Sequence, residues 1–112
     1  MAAAATPLCP RYHEAIELIG RRWTGSIVLV LLNGPLRFSE VAACVPQISD
    51  RLLSERMKEL ESRGVVARTV LSGPPVRVEY RLTQMGHELE PMLSGLRGWA
   101  QQWLSTARPT SL

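Results

Sequence analysis

The chain has 112 residues, 46% of them hydrophobic and 21% charged, a balance that makes one globular domain and excludes disordered, fibrous and membrane-embedded classes. Two cysteines, Cys9 and Cys44, are too few to staple a secreted disulfide scaffold, so the fold rests on its hydrophobic core. The net charge of +3 is compatible with a nucleic-acid partner and is unevenly placed: residues 1–82 hold eleven Arg and Lys against eight Asp and Glu, while residues 83–112 are balanced.

The opening MAAAATPL has neither a basic flank nor an apolar stretch of signal length, and the longest apolar run, Ile27 to Leu32, is far short of the roughly 20 residues of a membrane helix. A cytoplasmic, nucleoid-associated protein with no membrane partner is therefore expected. Residues 1–8 and 105–112 read as flexible ends, and 9–104 as one folded domain.

Cys9-Pro10 reads as a helix start, with Tyr12, Ile16 and Ile19 on an apolar face before Gly20 stops it. A second helix begins near Thr24 or Ser26 and runs through IVLVLL to Asn33-Gly34-Pro35; apolar almost all round, it is the expected central buried helix. Leu36-Arg37-Phe38 is a short extended piece. Ser39 then caps a short helix with Val41, Ala42 and Val45 inward, ended by Pro46, and on it Cys44 reads as a small buried hydrophobe. Ser49 caps the next helix, Asp50 to Arg63, with Leu52, Leu53, Met57 and Leu60 inward and Arg51, Ser54, Glu55 and Lys58 outward; Gly64 closes it.

Alternation then replaces the helical period. Val66, Arg68 and Val70, a Ser72-Gly73-Pro74-Pro75 turn, and Val76, Val78, Tyr80 and Leu82 opposed by Arg77, Glu79 and Arg81 read as a two-stranded hairpin with a basic outer face. Thr83 caps a last long helix on which Met85, Leu89, Met92, Leu93, Leu96, Trp99, Ala100 and Trp103 form one wide stripe, with a kink or break expected between Glu88 and Pro91.

This order of elements is that of a winged helix-turn-helix: mainly α with a small β-hairpin, extended by N- and C-terminal helices that pair two copies. In such a fold the second helix of the pair enters the major groove and needs an outward face that is short, polar and basic. Ser49, Arg51, Ser54 and Lys58 meet that need: Arg51 and Ser54 reach base edges, while Lys58 and the wing residues Arg68, Arg77 and Arg81 are placed for phosphate. The bland alternative is a solvated helix face. A stripe as wide as Leu89, Leu93, Leu96, Trp99, Ala100 and Trp103 must be covered, which predicts a homodimer.

The chain resembles the HxlR-type winged helix-turn-helix transcriptional regulators of bacteria and archaea over Cys9 to about Trp103. The resemblance rests on Cys9-Pro10, Ile19-Gly20-Arg21-Arg22-Trp23-Thr24, Arg37-Phe38-Ser39-Glu40, Ile48-Ser49-Asp50-Arg51-Leu52-Leu53, Arg56-Met57-Lys58-Glu59-Leu60-Glu61, and Val78-Glu79-Tyr80-Arg81-Leu82-Thr83 followed by Gly86. It implies a homodimeric regulator of double-stranded DNA, without a cofactor, of a kind that often senses reactive or aromatic small molecules. DNA contacts are then expected from Ser39, Ser49, Asp50, Arg51, Ser54, Glu55, Lys58, Arg68, Arg77 and Arg81, on a palindromic operator. Two positions depart from the family pattern: Glu55 stands where a neutral Gln is common, and the tip reads Pro74-Pro75-Val76-Arg77 where the Pro pair usually directly precedes the basic residue. The rival from another class is a winged helix that binds protein, its basic face incidental.

No catalytic set is visible: His13 and His87 have neither a nucleophile–base arrangement nor a glycine-rich phosphate loop around them, so the protein is not expected to be an enzyme. Cys9-x-x-x-His13 and His87-x-x-Glu90 are each only half of a metal site. Cys9 admits two readings. At a helix start, with Arg11, His13 and the Arg21-Arg22 pair adding positive charge, it is a candidate redox-sensing thiol; alternatively it only caps and packs. Tyr12, Trp23, Trp99 and Trp103 are likewise either core aromatics or the lining of a pocket for a flat effector.

Overall fold

The computed structural model describes residues 9–104; the ends expected to be flexible lie outside that range. Helix α1 (Pro10–Ile19) begins with Cys9 at the N-cap and Pro10 in the first turn, where a missing N–H costs nothing, and ends on Gly20. Helix α2 (Thr24–Leu31) is the central buried element, with Ile27, Val28 and Leu31 almost wholly out of solvent. Between them Trp23 holds a left-handed backbone, φ 77°, with its ring packed against the core and the Arg22 guanidinium 5.0 Å over the ring centre.

Strand β1 (Leu36–Arg37) leads directly into α3 (Phe38–Cys44), so the short helix starts one residue before Ser39. Arg37 is its N-cap, and the Glu40 carboxylate reaches back to accept the Arg37 backbone N–H at 2.7 Å. Ser39 is therefore an exposed residue within the first turn of α3 and does not cap it. The inward stripe of this segment is Phe38, Val41, Ala42 and Val45, at i, i+3, i+4 and i+7. Cys44 falls off that stripe and is exposed, which corrects the expectation that it is buried.

Helix α4 (Asp50–Ser62) is capped by Ser49, whose hydroxyl accepts the Leu52 N–H at 3.1 Å. It packs through Leu53, Met57 and Leu60, with Leu52 half-buried against the same core, and Arg63 is the C-cap, with the left-handed Gly64 (φ 82°) beyond it. Strands β2 (Val66–Leu71) and β3 (Arg77–Leu82) pair antiparallel, and β1 joins the free side of β3. The sheet thus has three strands in the order β1-β3-β2: the short extended piece expected at Leu36-Arg37 joins the expected two-stranded hairpin as a third strand.

Helix α5 (Gln84–His87) and helix α6 (Glu90–Trp103) are separated at Glu88-Leu89, the place where Pro91 predicts a break. The Thr83 hydroxyl accepts from Gly86 N at 3.2 Å and donates to the Val65 carbonyl at 3.1 Å, so the cap of α5 also pins it to the start of β2. Leu93 enters the core beside α2, while Met92, Leu96, Trp99 and Trp103 remain in solvent. The fold is the winged helix-turn-helix of the sequence reading, with α3 and α4 as the helical pair and β2-β3 as the wing.

Candidate nucleic-acid interface

Three faces of α4 do three different things. Leu53, Met57 and Leu60 face the core. Arg56, Glu59 and Arg63, again at i, i+3 and i+7, face α1 and the turn that follows it. Arg56 Nε donates to the Arg22 carbonyl at 3.0 Å, Glu59 pairs with Arg21 at 3.1 Å, and Arg63 pairs with Glu14. The remaining side, with Arg51, Glu55 and Lys58, is exposed. Because the first two faces are occupied, the third is presented rigidly, as groove entry requires.

On that face Arg51 is 91% exposed and its Nε lies 3.5 Å from Glu55 Oε2. The two side chains, with Ser49 and Leu52, rim a shallow hollow at the start of α4. Asp50 is exposed in the first turn, where a carboxylate suits the positive end of the helix dipole; Ser54 is half-buried beside Leu53, and Lys58 stands one turn further along. Ser39 lies on the neighbouring helix α3.

The wing arginines divide between the two faces of the sheet. Arg68 opposes Tyr80 across the strands and shares its face with Val66 and Leu36, whereas Arg77 and Arg81 oppose Leu71 and Ala67 on the other face. Glu79 lies between Arg77 and Arg81 on that outer face, in register with Arg37 of β1 and Thr69 of β2. Arg37, part of the Arg37-Phe38-Ser39-Glu40 motif, was not read from sequence as a DNA contact. It is exposed and ion-paired to Glu40 at 3.7 Å, adding a cation at the start of α3 beside the wing. The Glu40 carboxyl is held below its ordinary value of 4.5, first by the Arg37 backbone N–H and then by the Arg37 charge.

Cys9 is exposed, and its side chain makes no cap hydrogen bond. The arginine pair expected to help it is at the wrong end of the helix: α1 is about 15 Å long, and Arg21 and Arg22 lie beyond its far end, engaged with Glu59 and Trp23. Of the four aromatics, Tyr12 lines a groove of about 430 Å³ between α1 and α6 with Ala15, Ile16, Ile19, Met92, Leu93 and Leu96. Trp23 packs against the core at the other end of α1, and Trp99 and Trp103 stand exposed further along α6, so one protomer does not gather the four around that groove. Among the described residues no three His, Cys, Asp or Glu side chains come together as metal ligands, and no helix is long and apolar enough to cross a membrane.

Comparison with known proteins agrees with this geometry. The family model for the HxlR-like helix-turn-helix matches residues 18–108. An HTH-type transcriptional regulator of Bacillus subtilis, YvaP, is 48% identical over 97 residues, covering 87% of this chain and 90% of its own. The reduced form of the transcriptional regulator YodB from B. subtilis superposes with a TM-score of 0.81 at 40% identity, covering 91% of this chain and all of that one. The quinone-bound form of YodB gives a TM-score of 0.75 at 41% identity over 86% of this chain and all of that one.

Proposed function

Because the chain belongs to the HxlR-like helix-turn-helix family and is thereby a DNA-binding transcriptional regulator, we propose that it works as a homodimer on a palindromic operator, with α4 of each protomer in successive major grooves and the β2-β3 wings on the flanking backbone. The observation that carries this reading is the division of labour on α4: two faces are fixed to the core and to α1, and the third offers Arg51, Glu55 and Lys58 to solvent. Phosphate contacts fall to Lys58, Arg77 and Arg81, and to Arg68 from the opposite face of the wing, with Ser39, Ser49 and Asp50 at the starts of α3 and α4, and base edges to Arg51, Ser54 and Glu55. The exposed stripe of α6 and the outer side of α1 form the pairing surface, which sets half-sites about 10–11 base pairs apart or a multiple of that. A working place in the cytoplasm at the nucleoid follows from the DNA partner.

Repression or activation of transcription, responsive to a reactive or aromatic small molecule, is the regulatory mode we favour. A relative of similar fold has been solved with a quinone bound, and this chain exposes both thiols, Cys9 at the head of α1 and Cys44 at the end of α3. Alkylation or oxidation of Cys9 alters the helix that pairs the protomers, and the tilt reaches α4 through the Arg56, Glu59 and Arg63 contacts. The groove containing Tyr12 would hold the apolar part of an effector once a second copy closes it.

A gel shift at stated salt, with DNA upstream of the gene against random DNA of equal length, tests the first part; a specific shift is expected, and a stable dimer with none would favour the protein-binding alternative. Repeating it after diamide or quinone treatment, with Cys9→Ser and Cys44→Ser variants alongside, tests the second. Operator affinity that stays unchanged once Cys9 is fully modified would leave Cys9 as a structural cap.

A further inference from the structure

The hollow at the start of α4 carries an acid where DNA affinity alone would want none. Glu55 stands about half exposed among the groove-facing side chains, 3.5 Å from an arginine that is almost wholly in solvent. An exposed i,i+4 pair of this kind contributes little to folding, and a carboxylate facing the groove repels phosphate. Its presence is accounted for if it selects among bases.

From this arrangement we infer that Arg51 and Glu55 act together as a base-selecting pair that reads a guanine and a cytosine within two base pairs of each other in each half-site; the inference rests on the DNA-binding reading above. The spacing fits: four residues of helix rise about 6 Å, and successive base pairs about 3.4 Å. The chemistry is complementary. The Arg51 guanidinium donates twice to guanine O6 and N7, and the Glu55 carboxylate accepts from the cytosine N4 amino group. Glu55 also rejects: thymine O4 and guanine O6 and N7 are acceptors, and each leaves the carboxylate desolvated without a donor. In the free protein both side chains rim the hollow 3.5 Å apart, with half-exposed Leu52 beside them as an apolar surface against the C5 edge of the pyrimidine. The Ser49 oxygen accepts from Leu52 N, which fixes the helix start and keeps the hollow in place.

The test is selection from a randomised duplex pool with the full-length wild type, Glu55→Gln and Arg51→Ala, each followed by affinity measurement on the enriched duplex with single-base changes. Wild type is expected to enrich a guanine and a cytosine one or two pairs apart and to lose about tenfold in affinity when that cytosine becomes thymine or guanine, neither of which offers the carboxylate a donor. Glu55→Gln should move the preference at that one position from cytosine to adenine, since an amide pairs with adenine N6 and N7, and leave the guanine position unchanged. Arg51→Ala should erase the guanine preference and retain the cytosine. Both substituted positions are exposed, so unchanged thermal melting is expected and separates base reading from folding. If Glu55→Gln enriches the same sequence as wild type at every position, the inference is overturned while DNA binding stands. If wild type enriches no sequence at all, the DNA-binding reading fails with it.

Discussion

Arg56 Nε donates a hydrogen bond of 3.0 Å to the carbonyl oxygen of Arg22, joining the middle of α4 to the turn after α1 across 34 residues of sequence. With Arg21–Glu59 and Glu14–Arg63 following it toward the end of α4, it makes a row of contacts that lets the helix carrying Cys9 set the orientation of α4. The two ion pairs are exposed and individually weak. Arg56 is half-buried, and its bond gives a fixed partner to a carbonyl at the strained Trp23 turn.

Removing that bond is therefore the first prediction. Arg56→Ala should cost about 1 kcal/mol of stability in urea unfolding and weaken operator binding beyond the loss of one charge, because α4 is released from α1. Lys58→Ala, two residues along on the exposed side, should leave the unfolding midpoint where it is. Equal midpoints for the two variants would show that the Arg22 contact carries no energy.

The second prediction separates base reading from phosphate contact on the same helix. Arg51→Ala should cost about 1–3 kcal/mol on the operator and much less on random DNA. Lys58→Ala should weaken both alike and reduce the salt slope by about one unit. Titrations of specific and random duplexes at several salt concentrations decide it; identical behaviour of the two variants would mean that the exposed face of α4 has been assigned wrongly.

Gly86 supplies a third. A Cβ there would collide with the Val65 carbonyl oxygen and come within 2.9 Å of Leu82 Cδ2, and Val65 is held in place by Thr83 N at 3.0 Å. Gly86→Ala is expected to destabilise the fold by about 1–3 kcal/mol, with Gly95→Ala, whose Cβ meets nothing within 4 Å, as the neutral or stabilising control in thermal melting.

What the sequence made legible, and what it hid, follows from the range of the interactions. The Ser49 cap, the break before Pro91 and the buried run of α2 are local signals, and each was readable from residues a few positions apart. The pairing of the third strand was not: Leu36-Arg37-Phe38 could be read as a short extended piece, but its partners Glu79 and Tyr80 lie on a strand far along the chain. The start of α3 was misplaced because a hydroxyl at Ser39 is a better-known cap than a carboxylate at Glu40 reaching back to Arg37. At the site, the outward face of α4 was evident from spacing. The row Arg56, Glu59 and Arg63 was invisible, since its partners lie on another element.

Glu40 gives the fourth prediction, a pH dependence. Its folded-state carboxyl titrates below the ordinary 4.5, so its contribution is fully present above that value and is lost as the pH falls through the lowered one. Wild type should therefore be more stable than Glu40→Gln near neutral pH, and the gap should close as the solution is acidified below about pH 4. Urea midpoints measured for both proteins across this range check the sign; a gap independent of pH would remove the carboxylate from the account of the α3 cap.

The fifth prediction concerns the surface proposed to pair two copies. Tyr12 is 63% exposed, Leu96 58%, Trp99 53% and Trp103 67%, all on α1 or α6. Side chains of that size left in solvent across two helices exceed the scattered apolar exposure of an ordinary monomer surface. A two-fold arrangement covers both helices of both copies at once, because a twofold contact buries the same patch on each partner. It also closes the groove beside Tyr12, whose Ile16, Met92 and Leu96 walls are open in the single chain. Charge placed in this surface must be desolvated on pairing, whereas in a monomer it costs nothing. Trp103→Glu and Ile16→Glu should each shift sedimentation from dimer toward monomer at micromolar concentration. Each should also reduce operator affinity to that of a single half-site while binding to one isolated half-site is kept, since linkage of two weak contacts is what is lost. The fold of the single domain is unaffected in this account, because neither residue enters the core around α2. A wild-type protein that sediments as a monomer, or either variant retaining wild-type mass, would remove this surface as the dimer interface.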